Sequence, residues 1–251
     1  LVRQVPRDAA VVASFEFLPR LASRAELHSL HHLLSGTYTY STRPYPLPAR
    51  ADVMLGTQGM EYRDRAAQQR LLALIARDTL RPVDAFDDVL LLRRAATDTL
   101  PLLMAASSPP VRRTRVLYDG QFELRGYDSL PASARAGEAI EIGTYWARRA
   151  PADYLYLPHF WLIDEHDREL LYRTRYVGYA LFTPDAWPQD VTVREIYRLV
   201  APKTLPPGRY RVALRVAHRR FDEPRGSLAV PDRPELQDPR HLLQIGSLEI
   251  R

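Results

Sequence analysis

Residues 206–216, PPGRYRVALRV, constrain the fold more than any other stretch of the chain. Pro206-Pro207-Gly208 reads as a turn, because proline presets φ and glycine supplies the positive φ that a tight reversal often needs. After it, Tyr210, Val212, Leu214 and Val216 alternate with Arg209, Arg211, Ala213 and Arg215. A period of two marks a strand with one face buried and one wet. Such a strand needs partners, and the second half of the chain supplies them. Residues 114–118 and 122–127 flank the turn pair Asp119-Gly120. Ile140, Ile142, Thr144 and Trp146 alternate inward, and residues 154–164 are apolar on both faces, as in a strand covered on both sides. With residues 191–200, 209–218 and 242–250 this makes seven or more strands with turn signals between them, the pattern of a β-sandwich.

The first half alternates strand and helix signals. Residues 11–14 and 27–30 read as short strands, with a helical turn or two over 17–24, and residues 36–48 as a loop holding Tyr38, Tyr40 and Tyr45. Residues 52–57 read as a buried strand. Asp64 is placed to cap a helix ending near Arg77, with Ala67, Leu71, Leu72, Leu74 and Ile75 as its apolar stripe. Strands over 81–86 and 89–93 follow. The expected fold class is α/β plus all-β: a small α/β layer domain over 1–106, a linker at 107–113 marked by Ser107-Ser108-Pro109-Pro110, and an antiparallel immunoglobulin-like β-sandwich over 114–251.

Composition narrows the function. Cysteine is absent, which excludes disulfides and thiolate metal sites. The net charge is +5, carried almost wholly by arginine, with Lys203 the only lysine. The arginines are spread singly along strands, and neither an RNA-binding aromatic motif nor a zinc-finger spacing accompanies them, so no nucleic-acid partner is expected. No run of about 18 apolar residues occurs. The chain opens on Leu1 without a signal-peptide pattern, which points to a fragment whose upstream sequence is missing.

Candidate sites are few. His28, His31 and His32 are the densest group of ring nitrogens, but no glutamate follows His28 in the zinc-helix pattern, and the stretch reads as strand and loop. Asp164, Glu165, His166 and Asp167 could ligate a cation or simply form a hairpin turn. Trp187, with Tyr179 upstream, could stack on a sugar ring or close a core; Tyr38, Tyr40 and Tyr45 offer the same choice. There is no Gly-x-Ser-x-Gly elbow, and Gly56-Thr57-Gln58-Gly59 lacks the rest of a phosphate loop. No catalytic residue, cofactor or metal is expected. Trp187, Tyr179, Tyr38, Tyr40 and His31 stand as the candidate ligand-binding residues.

A resemblance rests on motifs that stand in order. In the second half these are Leu124-Arg125-Gly126-Tyr127-Asp128, Ala136-Gly137-Glu138, Thr144-Tyr145-Trp146, His159-Phe160, Leu162-Ile163-Asp164, Trp187-Pro188, Tyr197-Arg198-Leu199 and Pro207-Gly208-Arg209-Tyr210-Arg211. This half resembles the extracytoplasmic C-terminal β-sandwich of bacterial polytopic membrane glycosyltransferases of the dolichyl-phosphate-mannose mannosyltransferase type. The first half, through residues 6–11, 18–24 and 51–53, resembles the soluble tail of related predicted membrane proteins. The family's catalytic Asp lies in a loop between membrane spans that this chain lacks, so none is carried over. The resemblance implies a non-catalytic accessory domain pair on the extracytoplasmic face of a bacterial membrane. Its partners would be the membrane-embedded portion of the same protein and a glycan or lipid-linked sugar. The alternatives are a free-standing carbohydrate-binding protein, or a small hydrolase or transferase with its site in the α/β half near His28, His31 and His32.

Overall fold

The computed structural model describes residues 1–57, 65–101, 103–152, 154–220, 223, 225–238 and 242–251. Strand is the main regular structure of the described residues, arranged in three sheets with few helices. The chain forms two compact units, Leu1–Pro101 and Leu102–Arg251.

The first unit is a five-stranded mixed sheet. Its strands are β1 (Val11–Ala13), β2 (Leu27–Ser29), β3 (Val53–Thr57), β4 (Leu80–Phe86) and β5 (Val89–Arg94), in the order β2-β1-β3-β5-β4. β1 runs parallel to both neighbours, and the β4–β5 hairpin adds antiparallel pairs. Parallel neighbours require crossovers, supplied by the short helices α1 (Leu18–Leu21) and α2 (Leu30–Ser35). A longer helix, α3 (Arg65–Arg77), buries Ala67, Leu71 and Leu74, the core of the expected stripe. Its expected cap, Asp64, lies outside the described residues, as do Gln58 and Gly59. Val11, Ala13, Val53, Leu55 and Leu91 meet Leu21 in one cluster of this unit's core.

The second unit has two sheets. The first contains β6 (Leu103–Ala105), β7 (Arg112–Tyr118), β8 (Phe122–Tyr127), β10 (Ala139–Arg148) and β13 (Val193–Val200), in the order β6-β13-β10-β8-β7. The second contains β9 (Ser133–Ala134), β11 (Leu155–Ile163), β12 (Glu169–Thr174), β14 (Gly208–Arg219) and β16 (Leu243–Ile250), in the order β12-β11-β14-β16-β9, and the short β15 (Ser227–Leu228) pairs with β14. All pairings are antiparallel except β16 with β9. The two sheets share one core. Phe122 of the first sheet stacks on Trp146 at 4.8 Å and on Tyr156 of the second at 4.5 Å. Tyr210, Val212, Leu214 and Val216 all point into this core, as their alternation requires.

Two expectations need correction. The boundary falls at Pro101, not at 106, and residues 107–113 do not link the two units. β6 pairs with β13 inside the second unit, and β7 already begins at Arg112. Ser107-Ser108-Pro109-Pro110 lies between β6 and β7, where the chain passes from one edge strand of a sheet to the other. The other correction is local: His31 and His32 lie on α2, not on strand or loop. The Ser29 side chain accepts from the His32 N–H at 3.3 Å, capping that helix, and Gly36 closes it with φ 77°.

Candidate functional sites

In the first unit the 36–45 loop folds back on α2. Tyr45 N–H donates to the Gly36 carbonyl at 2.9 Å, and Tyr38 N–H donates to that of Arg43 at 3.2 Å. The Tyr45 hydroxyl accepts from the Ser29 N–H at 3.1 Å, and His32 Nε2 meets Thr39 Oγ1 at 2.7 Å. These bonds gather rings from three places in the chain. His32 lies 5.0 Å from Tyr45, 5.6 Å from Tyr38 and 5.3 Å from Phe15, while His31 lies 5.0 Å from Phe15. His28 joins through Tyr45 at 6.2 Å, and burial holds its imidazole below the usual histidine pKa against the opposing charge of Glu26. The result is a half-buried platform with Phe15 41% exposed. Of the predicted residues it unites His31 and Tyr38; Tyr40 stands fully exposed outside it. Phe15 was missed because it falls between the strand read over 11–14 and the helical turn read over 17–24.

The other two predicted residues are corrected. Trp187 is 5% exposed and Tyr179 1%, so neither ring offers a face to a sugar. Trp187 Nε1 donates to the Phe182 carbonyl at 2.8 Å, and its ring packs 5.8 Å from Phe122. The Tyr179 hydroxyl accepts from Arg175, whose guanidinium lies between the rings of Tyr179 and Tyr197, at 4.0 and 3.6 Å from their centroids. The Asp164 turn is a backbone staple: Oδ1 accepts the N–H groups of His166 and Arg168, each at 2.9 Å. Among the described residues, no three His, Asp or Glu side chains are placed to hold a metal ion.

One constellation had no sequence signal. His218 on β14 meets Asp119 Oδ2 through Nδ1 at 2.6 Å and Ser227 Oγ through Nε2 at 2.7 Å. The β14–β15 register sets Ser227 opposite His218, and Asp119 comes from the turn between β7 and β8. Asp119 Oδ1 accepts the Val230 N–H at 2.9 Å, and Tyr154 stacks on the imidazole at 4.2 Å. With the Nδ1 proton on the carboxylate side, Nε2 is left to accept from the serine hydroxyl, which is the connectivity of a Ser-His-Asp triad. Next to it is an apolar concavity of about 260 Å³ lined by Tyr118, Leu228, Val230, Pro231 and Leu236.

No protein-family model matches the chain, and no curated protein matches its sequence. Three solved structures are partial likenesses. The C-terminal domain of Wzt overlaps at a TM-score of 0.38 with 11% identity, covering 59% of this chain and 84% of its own. A β-glucosidase from Listeria innocua in complex with isofagomine overlaps at 0.28 with 13% identity, over 52% of this chain and 16% of that one. A Niemann-Pick type C2 protein from the Japanese carpenter ant overlaps at 0.28 with 10% identity, over 53% and 97%. Overlaps this loose fix neither family nor function. Among the described residues, no helix is long and apolar enough to cross a membrane.

Proposed function

We propose that the chain is a non-catalytic accessory pair of a membrane-anchored glycosyltransferase-like protein, held on the extracytoplasmic face of a bacterial membrane, and that its first unit holds a glycan. The ordered motifs support the parentage. The observation that carries the binding role is the platform of Phe15, His31, His32, Tyr38 and Tyr45, where ring faces and imidazole and phenol groups share one half-buried surface. Ring faces suit the C–H face of a pyranose, and the polar edges suit its hydroxyls. An immunoglobulin-like order for the second unit belongs to the same reading. β12-β11-β14-β16 corresponds to strands C′-C-F-G, with β9 parallel to the last of them. The Tyr210 hydroxyl, near the start of the F-equivalent β14, donates to the Pro206 carbonyl at 2.7 Å, as in a tyrosine corner. The test is a glycan array followed by calorimetric titration. Tyr38→Ala and Phe15→Ala are each expected to weaken binding about two- to tenfold. An array without a hit removes the glycan role.

The Asp119–His218–Ser227 chain favours a second reading, an ester hydrolase, with its site in the second unit and not in the first. Ser227 Oγ would attack an ester carbonyl while His218 Nε2 takes its proton and returns it to the leaving alcohol; water would then release the acid from the acyl-serine. A fluorophosphonate probe with peptide mapping decides. Labelling of Ser227 that His218→Ala abolishes favours the hydrolase, and an unlabelled Ser227 removes it.

A further inference from the structure

The second unit holds a concavity of about 600 Å³ whose lining gathers Arg113, Arg115, Arg125 and Arg149 around Glu123. Alternation explains how they meet. Phe122 and Leu124 of β8 face the core, so Glu123 and Arg125 face outward. Arg113 and Arg115 come from the paired strand β7, and Arg149 directly follows β10. The opposite wall is the 107–110 turn. It closes onto Gly126, where a Cβ would come within 2.3 Å of the Arg112 carbonyl oxygen and 2.6 Å of Pro110 Cγ. Only glycine lets the wall approach this closely.

Glu123 fixes the arginines. Its side chain is 6% exposed; Oε1 accepts from Arg115 Nε and Oε2 from Arg125 Nε, each at 2.9 Å, and Arg149 Nε lies 3.7 Å from Oε2. Arg125 Nη1 also donates to the Asp190 carbonyl at 3.1 Å and to Thr192 Oγ1. Burial would raise the Glu123 carboxyl, but the hydrogen bonds from Arg125 and Arg115 and the charges of Arg125 and Arg149 outweigh it and hold it below the usual carboxylate range. The carboxylate therefore stays charged and holds these guanidinium groups at neutral pH. Arg149 has a second carboxylate, Asp190, at 2.5 Å. Four guanidinium groups against two carboxylates leave a surplus of about two positive charges on one concave, partly desolvated surface.

We infer that this concavity is a phosphoryl site, in which Arg113, Arg115 and Arg149 grip a phosphate or pyrophosphate group over the Glu123–Arg125 base. The surplus charge matches a dianion. Planar guanidinium forks converging from separate strands match a group with oxygens on several sides better than a single carboxylate edge. The hydroxyl of Thr192, which accepts from Arg125, keeps its proton to donate. The inference stands apart from the glycan platform: Tyr38→Ala leaves it untouched, and the arginine variants leave glycan binding untouched.

The chemistry has two sources, a soluble phosphate compound or a lipid headgroup, and the experiment has an arm for each. The full chain is titrated with inorganic pyrophosphate, and separately co-sedimented with phosphatidylcholine vesicles with and without phosphatidic acid. Saturable pyrophosphate binding, or sedimentation that requires phosphatidic acid, is expected. The double variant Arg113→Ala/Arg115→Ala should weaken it about tenfold or more. Arg115 also supports the buried Glu123 carboxylate, so the double variant is expected to lose some stability. Arg113→Ala alone, at an exposed side chain, should keep the unfolding midpoint and still weaken binding about threefold or more, and Arg209→Ala, on a different surface of the unit, should change nothing. Absence of binding in both arms overturns the inference. So does binding that Arg209→Ala weakens as much as the double variant, which would reduce it to the general positive charge of the chain.

Discussion

Glu195 is a carboxyl placed in the core. It occupies an inward position of β13 with Val193, Tyr197 and Leu199, and is fully buried. Oε1 accepts the Gly178 N–H at 2.8 Å, Oε2 accepts the Tyr197 hydroxyl, and Arg175 Nη2 lies 4.0 Å away. The same network holds Gly178, Tyr179 and Ala180 in successive left-handed conformations, φ 62°, 55° and 53°, a run that costs about 1 kcal/mol or more per non-glycine residue. Burial pushes the Glu195 carboxyl up to about 7, against the pull of Arg175, Tyr197 and the Gly178 N–H. From pH 4.5 to about 7 the folded chain therefore keeps a proton that the unfolded chain has released. Stability from this group is complete below that window and falls as pH rises through it. Urea unfolding across the window should show this decline in the native chain and a flatter profile in Glu195→Gln. Parallel profiles would refute it. Glu195→Ala, which strands the Arg175 charge, should cost about 3 kcal/mol or more. Glu195 shares the alternation of Val193, Tyr197 and Leu199, so its inward place is written in the sequence. Its partner Arg175 lies in an irregular segment with no period to read, so the pair was invisible in the sequence. Asp119, His218 and Ser227 were hidden for a related reason: only the hairpin and the β14–β15 register bring them together.

Elements that bury one face were readable, because burial writes a period into the sequence. β14, β13 and α3 appear within a residue or two of their expected bounds. Elements held by pairing or capping alone were not. β9 and β15 are two residues each, too short to carry a pattern. α2 was readable only from its cap: Ser29 ahead of an apolar-histidine run and Gly36 after it are the start and stop signals of a single short helix. Reading that stretch as strand and loop separated His31 and His32 from the loop that packs on them, which is why four of the platform's five members were named but its unity was not. The error at 107–113 has another cause. Proline and serine interrupt backbone pairing wherever they fall, and a break inside a sheet looks the same in sequence as a break between domains. Only the pairing of β6 with β13 tells them apart.

At the scale of the molecule, each unit closes its own sheets. Among the described residues, every strand of the second unit pairs within residues 103–250, and its shared core is built from residues of 103–250. A unit with its own core and no unpaired internal strand meets the condition for folding alone. Its size favours this as well, since a chain of roughly 150 residues buries about 70% of its unfolded surface. All of the tryptophans, Trp146, Trp161 and Trp187, lie in this unit and are buried. Tryptophan fluorescence therefore reports on it alone, even in the full chain. A protein beginning at residue 102 should show the near-ultraviolet circular dichroism of fixed tryptophans and a single cooperative urea transition, with the fluorescence-detected slope of the full chain, because that slope scales with the surface exposed on unfolding. A shallow transition, or dye binding with the near-ultraviolet signal lost, would mean that the β unit draws its packing from the preceding hundred residues.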